Sequence, residues 1–93
     1  MSSKFEYGSD LAIEILKSLG IKFVALNPGA SFRGLQDSLV NYVSEGPEII
    51  TCCHEEIAVA IAHGYAKATG KPMAVMLHNI VGLQHATMAI FNA

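Results

Sequence analysis

EIITCCHEEIAVAIAHGYAKATGKPMAVMLHN, residues 48–79, decides the fold. Glu48 to Cys53 is a short run with apolar Ile-Ile and Cys-Cys pairs and reads as a strand. An alanine-rich segment follows and predicts a helix from about 55 to 69. Gly70-Lys71-Pro72 is a strong stop, with glycine suited to a left-handed cap and proline just beyond it. Met73 to Leu77 then reads as another apolar strand. Strand, helix and strand at this spacing form a βαβ unit, which requires parallel strands.

Working outward, the same alternation continues. Upstream, residues 22–26 (KFVAL) read as a buried strand that Asn27-Pro28-Gly29 breaks. Residues 9–19 read as a helix with Leu11, Ile15 and Leu19 on its apolar face, and Ala12 and Leu16 beside them. Ser9 or Asp10 can cap its start, and Gly20 fits its stop. A helix is predicted from about 32 to 44, with Leu35, Leu39 and Tyr42 or Val43 as its stripe. Downstream, a last helix runs from Gly82 to the end. The expected fold is α/β: an open parallel sheet with helices on both faces, a flavodoxin-like half with a βαβαβ core.

Composition narrows the function. The chain has 93 residues, 52% hydrophobic and 15% charged, with a mean hydropathy of +0.39. That excludes a disordered segment, which would be charge-rich and apolar-poor. Two adjacent cysteines exclude a disulfide scaffold, and Cys52 and Cys53 read as small buried side chains. A net charge of −2 without a basic cluster argues against nucleic acid as a partner. Of 14 charged residues, 12 lie in positions 1–56, and the 22 positions from Pro72 to Ala93 carry none. That stretch is long enough to span a bilayer, but Pro72, His78, Asn79, Gly82, Gln84 and His85 interrupt it. No membrane helix is expected. The N-terminus lacks the apolar core of a secretory signal, so a cytoplasmic protein is expected. A solvated domain normally carries charge on its outer faces, so the second half is expected to be covered by other protein.

In a parallel sheet all strand-to-helix turns share the carboxyl edge, where ligands bind. Three turns meet there: residues 27–31, 54–56 and 78–82. Glu55 and Glu56 open a helix, where the macrodipole favours carboxylates. Neighbours on a helix diverge by about 100°, so only one of them can face the crevice. His54, His63, His78 and His85 lack metal-ligand spacing: there is no HExxH, CxxC or i, i+4 pair, and no metal site is expected. His63 and His85 lie in apolar segments, where a backbone carbonyl usually satisfies the ring. His78 closes a strand at the ligand edge. Neither nucleotide fingerprint is met by GASFRG, residues 29–34, and Ser31 has no evident base.

These residues carry a resemblance. HEEIAVAIAHGYAKATGKP, residues 54–72, resembles the glutamate-bearing segment of thiamine-diphosphate-dependent enzymes such as acetolactate synthase and benzoylformate decarboxylase. ALNPGASFRGL, residues 25–35, resembles the turn after the first strand of their pyrimidine-binding domain, and AVMLHNIVGLQHATMAIFNA, residues 74–93, its next strand, turn and helix. The likeness runs from about residue 8 to 93, with the motifs in family order.

The resemblance implies an N-terminal part of that domain over residues 1–93. Thiamine diphosphate is the implied cofactor. Glu55 is then the carboxyl group that hydrogen-bonds N1′ of its aminopyrimidine and promotes loss of the thiazolium proton. A Glu55 shielded by Cys52, Ile57 and alanines is expected to have a raised pKa. Asn27, Pro28 and Gly29 are implied to border the cofactor. Ala30, Ser31, His78 and Asn79 are implied to line the substrate pocket, with His78 moving protons on substrate-derived intermediates. His-Asn-Ile-Val-Gly, residues 78–82, departs from the Ser-Gly-Pro-Gly turn of acetolactate-synthase-like members. Glu56 stands where that branch often has glutamine. Gly64 and Tyr65 match the helix core and read as close packing.

The family's diphosphate and Mg2+ are held by a Gly-Asp-Gly…Asn motif that this sequence lacks. The implied protein is therefore the front of a 2-oxo acid decarboxylase or carboligase, inactive alone, whose partners are the remainder of the enzyme or another subunit, as a homo-oligomer. The alternative is a non-catalytic assembly module with the same fold.

Overall fold

The computed structural model describes residues 6–42 and 45–93. Along the chain run α1 (Gly8–Ser18), β1 (Phe23–Leu26), a 3-10 turn (Ala30–Phe32), α2 (Arg33–Asp37), a π turn (Ser38–Tyr42), β2 (Glu48–Thr51), α3 (Glu55–Thr69), β3 (Ala74–Met76) and α4 (Ile80–Asn92). The three strands are parallel in the order β2-β1-β3. Val24 aligns with Ile49 and Ala74, and Leu26 with Thr51 and Met76.

Strand burial follows from this order. β1 is central, so Val24, Ala25 and Leu26 are all fully buried, which is why KFVAL shows no polar alternation. Val24, Leu26 and Met76 point to one face, where Ile13 of α1, Phe32 and Leu39 cover them. Ala25 points to the other, against Cys52 and Ala58, with Ile50, Ile61, Met73 and Val75 around them. Helices therefore lie on both faces. α4 packs on α3 through Val59, Ala86 and Ala89, where small residues let the two helices approach closely.

The ends of the elements are chemically specified. Gly20 and Gly70 adopt φ of +80° and +72°, so both glycine stops form as the sequence predicts. Gly70 N–H reaches Ala66 O at 2.8 Å, closing α3.

α1 presents a different face from the expected one. Leu11, Ile15 and Leu19 are exposed, while Ile13 is fully buried and Leu16 packs beside it. Hydrogen bonding explains the rotation. Asp10 Oδ2 accepts from Glu6 N and Tyr7 N at 3.1 and 3.2 Å, capping the helix from inside its first turn. Asp10 Oδ1 accepts from the Ser38 hydroxyl at 2.7 Å, and Ser38 Oγ lies 2.8 Å from Ser9 Oγ. A buried carboxylate must keep its donors, so it turns the 10-13-16 stripe inward. The Ser38 hydrogen bond, with those from Tyr7 and Glu6, holds the Asp10 pKa below its ordinary value despite desolvation.

The helix expected over 32–44 is instead divided into 3-10, α and π turns. The wide π turn starts at Ser38, which is buried beside Asp10, and also buries Leu39. Val43 lies outside the described residues. Two packing expectations also change. Cys52 is buried but Cys53 is exposed. Tyr65 packs edge-on against Phe23 at 5.6 Å, whereas a Cβ on Gly64 would meet nothing within 4 Å. No described helix is long and apolar enough to cross a membrane.

Candidate functional site

The strand order creates a crevice. From β1 the chain moves to one side to form β2, then returns across the sheet to form β3. Its direction reverses at the carboxyl ends of β1 and β3, the switch point where open α/β sheets bind ligands. Residues 27–29 follow β1 there, and residues 77–79 follow β3.

Glu55, the first residue of α3, is 4% exposed, while Glu56 is exposed. The two adjacent carboxylates thus take separate environments, as helical geometry requires. Asn27 Nδ2 donates to Glu55 Oε2 at 3.2 Å, and His85 Nδ1 lies 3.0 Å from Oε1. These partners are supplied by the β1 turn and by α4, so the carboxylate ties together three elements distant in sequence.

The charge state of Glu55 differs from the expected one. Its pKa falls from 4.5 to about 2. The His85 hydrogen bond is the largest cause, followed by the Glu55 backbone N–H, and Asn27 adds to them. Burial acts in the opposite direction and loses. Glu55 is buried, but Ile57 is exposed and does not shield it, and the donors outweigh the burial.

His85 is the residue that sequence reasoning missed, since its ring meets a carboxylate rather than a backbone carbonyl. A signal existed in the spacing: Gly82, Ala86 and Ala89 form a small-residue stripe, and His85 borders it. The His85 ring also stacks on His54, with centroids 4.5 Å apart and planes 22° apart. His54 is the N-cap of α3, its Nδ1 accepting from Glu56 N at 3.1 Å.

His54, Glu55 and His85 bring potential ligand atoms within 4.8 Å of one another, a cluster that linear spacing did not disclose. Yet His54 Nδ1 serves the helix cap as an acceptor, which leaves the proton of a neutral ring on Nε2. Metal ligation would require that ring to exchange its tautomer and lose the cap. The arrangement is a hydrogen-bonded and stacked carboxylate site.

His78 stands at the β3 end. A Cβ built on Gly29 would lie 2.9 Å from its Cδ2, so glycine permits the β1 turn to approach the ring. The Nδ1 atom of His78 is buried without a hydrogen-bond partner. Gly82 lies over the same place: its Cβ would meet His78 Cβ at 3.0 Å, the Leu77 carbonyl carbon at 3.1 Å and Glu55 Cγ at 3.2 Å. Gly82→Ala should therefore destabilise the chain by about 1 kcal/mol net. Overpacking of about 1–3 kcal/mol outweighs a helix gain of about 0.5–1 kcal/mol. Urea denaturation checks the sign, and a stabilised variant would show that α4 yields at this point.

Pro28, Gly29 and Ala30 line a shallow groove with Arg33, Gln36 and Asp37. Ser31 is exposed. Asn79 is exposed too, its Oδ1 accepting from Ile80 N at 2.9 Å to cap α4.

The Glu55 ionisation also makes an acid-stability prediction. A carboxylate whose pKa is lowered from 4.5 to about 2 on folding contributes stability that is fully present above about pH 4.5. That contribution is lost as pH falls toward 2, below both values. Denaturant midpoints measured from pH 6 to 2 should fall less steeply in Glu55→Gln than in the parent chain. Parallel curves would show that Glu55 does not supply this dependence.

A parallel sheet with a buried carboxylate at its switch point defines a ligand-binding α/β domain. The chain belongs to the family of thiamine pyrophosphate enzyme N-terminal TPP binding domains, which it matches over residues 7–93. It is 35% identical over 86 residues to an acetolactate synthase large subunit from Lactococcus lactis, and 30% identical to one from Haemophilus influenzae. An acetolactate synthase from Bacillus subtilis is also 30% identical. Each match covers 92% of this chain and 15% of the relative. The chain thus corresponds to a small part of these relatives' length.

Proposed function

We propose that this chain is the N-terminal, pyrimidine-binding portion of a thiamine-diphosphate-dependent enzyme acting on a 2-oxo acid, and that Glu55 is its cofactor-activating carboxylate. The observation that carries the reading is Glu55 itself, buried at the switch point of a domain of this family. The donor set suits an aminopyrimidine. Glu55 offers a carboxylate at the crevice, the unpartnered Nδ1 of His78 is a second polar group beside it, and Gly29 and Gly82 let the β1 turn and α4 close tightly around the two.

When bound, the cofactor supplies a nucleophilic carbon and an electron sink for chemistry next to a carbonyl group. The chain's residues supply position and protons. Glu55 would hold or accept the proton at the pyrimidine ring nitrogen, and Asn27 would orient its carboxylate. The 27–29 turn would border the ring. His78 would move a proton at the substrate through its imidazole. Mg2+ and the diphosphate would be held by protein outside this chain, which has no corresponding motif.

The test is reconstitution. Expressed together with the rest of such an enzyme, the chain should support 2-oxo acid consumption that requires added thiamine diphosphate, and alone it should support none. Consumption that is indifferent to thiamine diphosphate would overturn the reading.

A second reading, a non-catalytic assembly module, is favoured by the outer face of α4. Ile80, Val81, Leu83, Met88, Ile90 and Phe91 are all exposed there. A stable, specific complex formed equally well with and without thiamine diphosphate, and lacking turnover, would support it.

A further inference from the structure

The surroundings of Glu55 are uneven in a way that singles out one residue. Asn27 reaches it from the β1 turn and His85 from α4, while His54 precedes it and stacks on His85. His78, at the end of β3, shares with Glu55 the space beside Gly82. Glu56, the nearest acid in sequence, is exposed. Three imidazoles and an amide thus surround the carboxylate.

Among these groups, where Asn27, His54 and His78 are half-buried, His85 is the exposed one that links the buried carboxylate with solvent. Its side chain is 48% exposed, against 6% for that of Glu55. Its ring is also prevented from turning freely. The α3 cap fixes His54 through the Glu56 N–H, and the His54 ring lies flat against His85. A helix cap is thereby coupled through a ring stack to the atom that faces Oε1.

We propose that His85 is a positioning residue: held by His54, it directs Nδ1 at Glu55 Oε1 and so holds the carboxyl group in one rotamer and stabilises its ionised form. The proposal rests on the reading that Glu55 serves the cofactor, because that role makes its charge state matter. His85 acts through Glu55 and touches no reacting atom. Removing its donor leaves a buried carboxylate with Asn27 and its own backbone N–H, so burial gains weight and the carboxyl group holds its proton to higher pH.

The experiment is a 13C-carboxyl NMR titration of the chain, with Glu55→Gln to assign the resonance. The parent midpoint should lie at about 2. His85→Phe preserves a ring against His54 but has no donor, and should raise the midpoint by at least about one pH unit. His85→Asn, whose amide can still donate, should recover part of that shift. His85→Ala should behave as His85→Phe does, and the two together separate loss of the donor from loss of packing. An unchanged midpoint in His85→Phe, with the amide spectrum of a folded chain, would overturn the proposal. Activity of Glu55→Gln in the reconstituted enzyme separates this failure from that of the functional reading. The expected titration shift with full Glu55→Gln activity would overturn only the cofactor role. No titration shift with an inactive Glu55→Gln enzyme would overturn only the role of His85.

Discussion

Glu55→Gln, placed in the reconstituted enzyme at saturating thiamine diphosphate, should lower turnover of a 2-oxo acid by about 10²–10⁴-fold, the usual contribution of a positioned acid–base group. Glutamine nearly matches the size of glutamate, and its carbonyl oxygen can still accept from Asn27 or His85. What it lacks is an ionisable proton. The loss should therefore appear in kcat and in hydrogen–deuterium exchange at the thiazolium carbon, with a smaller effect on cofactor affinity. Full activity retained in this variant would sink the role assigned to Glu55. A loss confined to the apparent KM for the cofactor would make Glu55 a binding contact rather than a proton-handling one.

Leu26→Ala should be the most damaging change away from the chemistry, at about 2–5 kcal/mol. Leu26 is fully buried on the central strand and packs with Val24, Phe32 and Met76. Neighbours on both sides of β1 are tied to the ladder, so the cavity cannot collapse readily. Small domains have about 5–15 kcal/mol of stability in total, so this change removes a large share. The denaturant midpoint should fall with an unchanged m-value. Since Leu26 immediately precedes Asn27, cofactor binding in the reconstituted enzyme should weaken as well. A midpoint within experimental error of the parent would mean that the core is loose at this position.

The elements that were legible in the sequence are those whose determinants are local. α3 is bounded as expected because His54 can cap it and Gly70 can adopt a positive φ, and both signals lie within a few residues of the ends they control. β1 was recognisable because the centre of a parallel sheet demands an uninterrupted apolar run. α1 was recognisable as a helix, but its orientation was not. The apolar stripe of Leu11, Ile15 and Leu19 is real, yet Asp10 binds Ser38, 28 positions away, and this contact rotates the helix. The helix expected over 32–44 failed for the same reason, since the π turn accommodates that hydrogen bond.

For the candidate site, the sequence by itself determined the residue types and their placement at one edge: Asn27, Gly29, Glu55 and His78 end up there because parallel βαβ connections put every such turn on the same side. It also determined that Glu55 and Glu56 must diverge. Only the tertiary structure decided which partners Glu55 would meet and how it would ionise. His85 lies 30 positions from Glu55 and reaches it only because Gly82, Ala86 and Ala89 allow α4 to settle closely on α3. Burial alone would have raised the carboxyl pKa. His85 first, then the Glu55 backbone N–H, and Asn27 lower it instead, because ionisation depends on the atoms within hydrogen-bonding distance, and the proximity of the two side-chain donors is a product of packing.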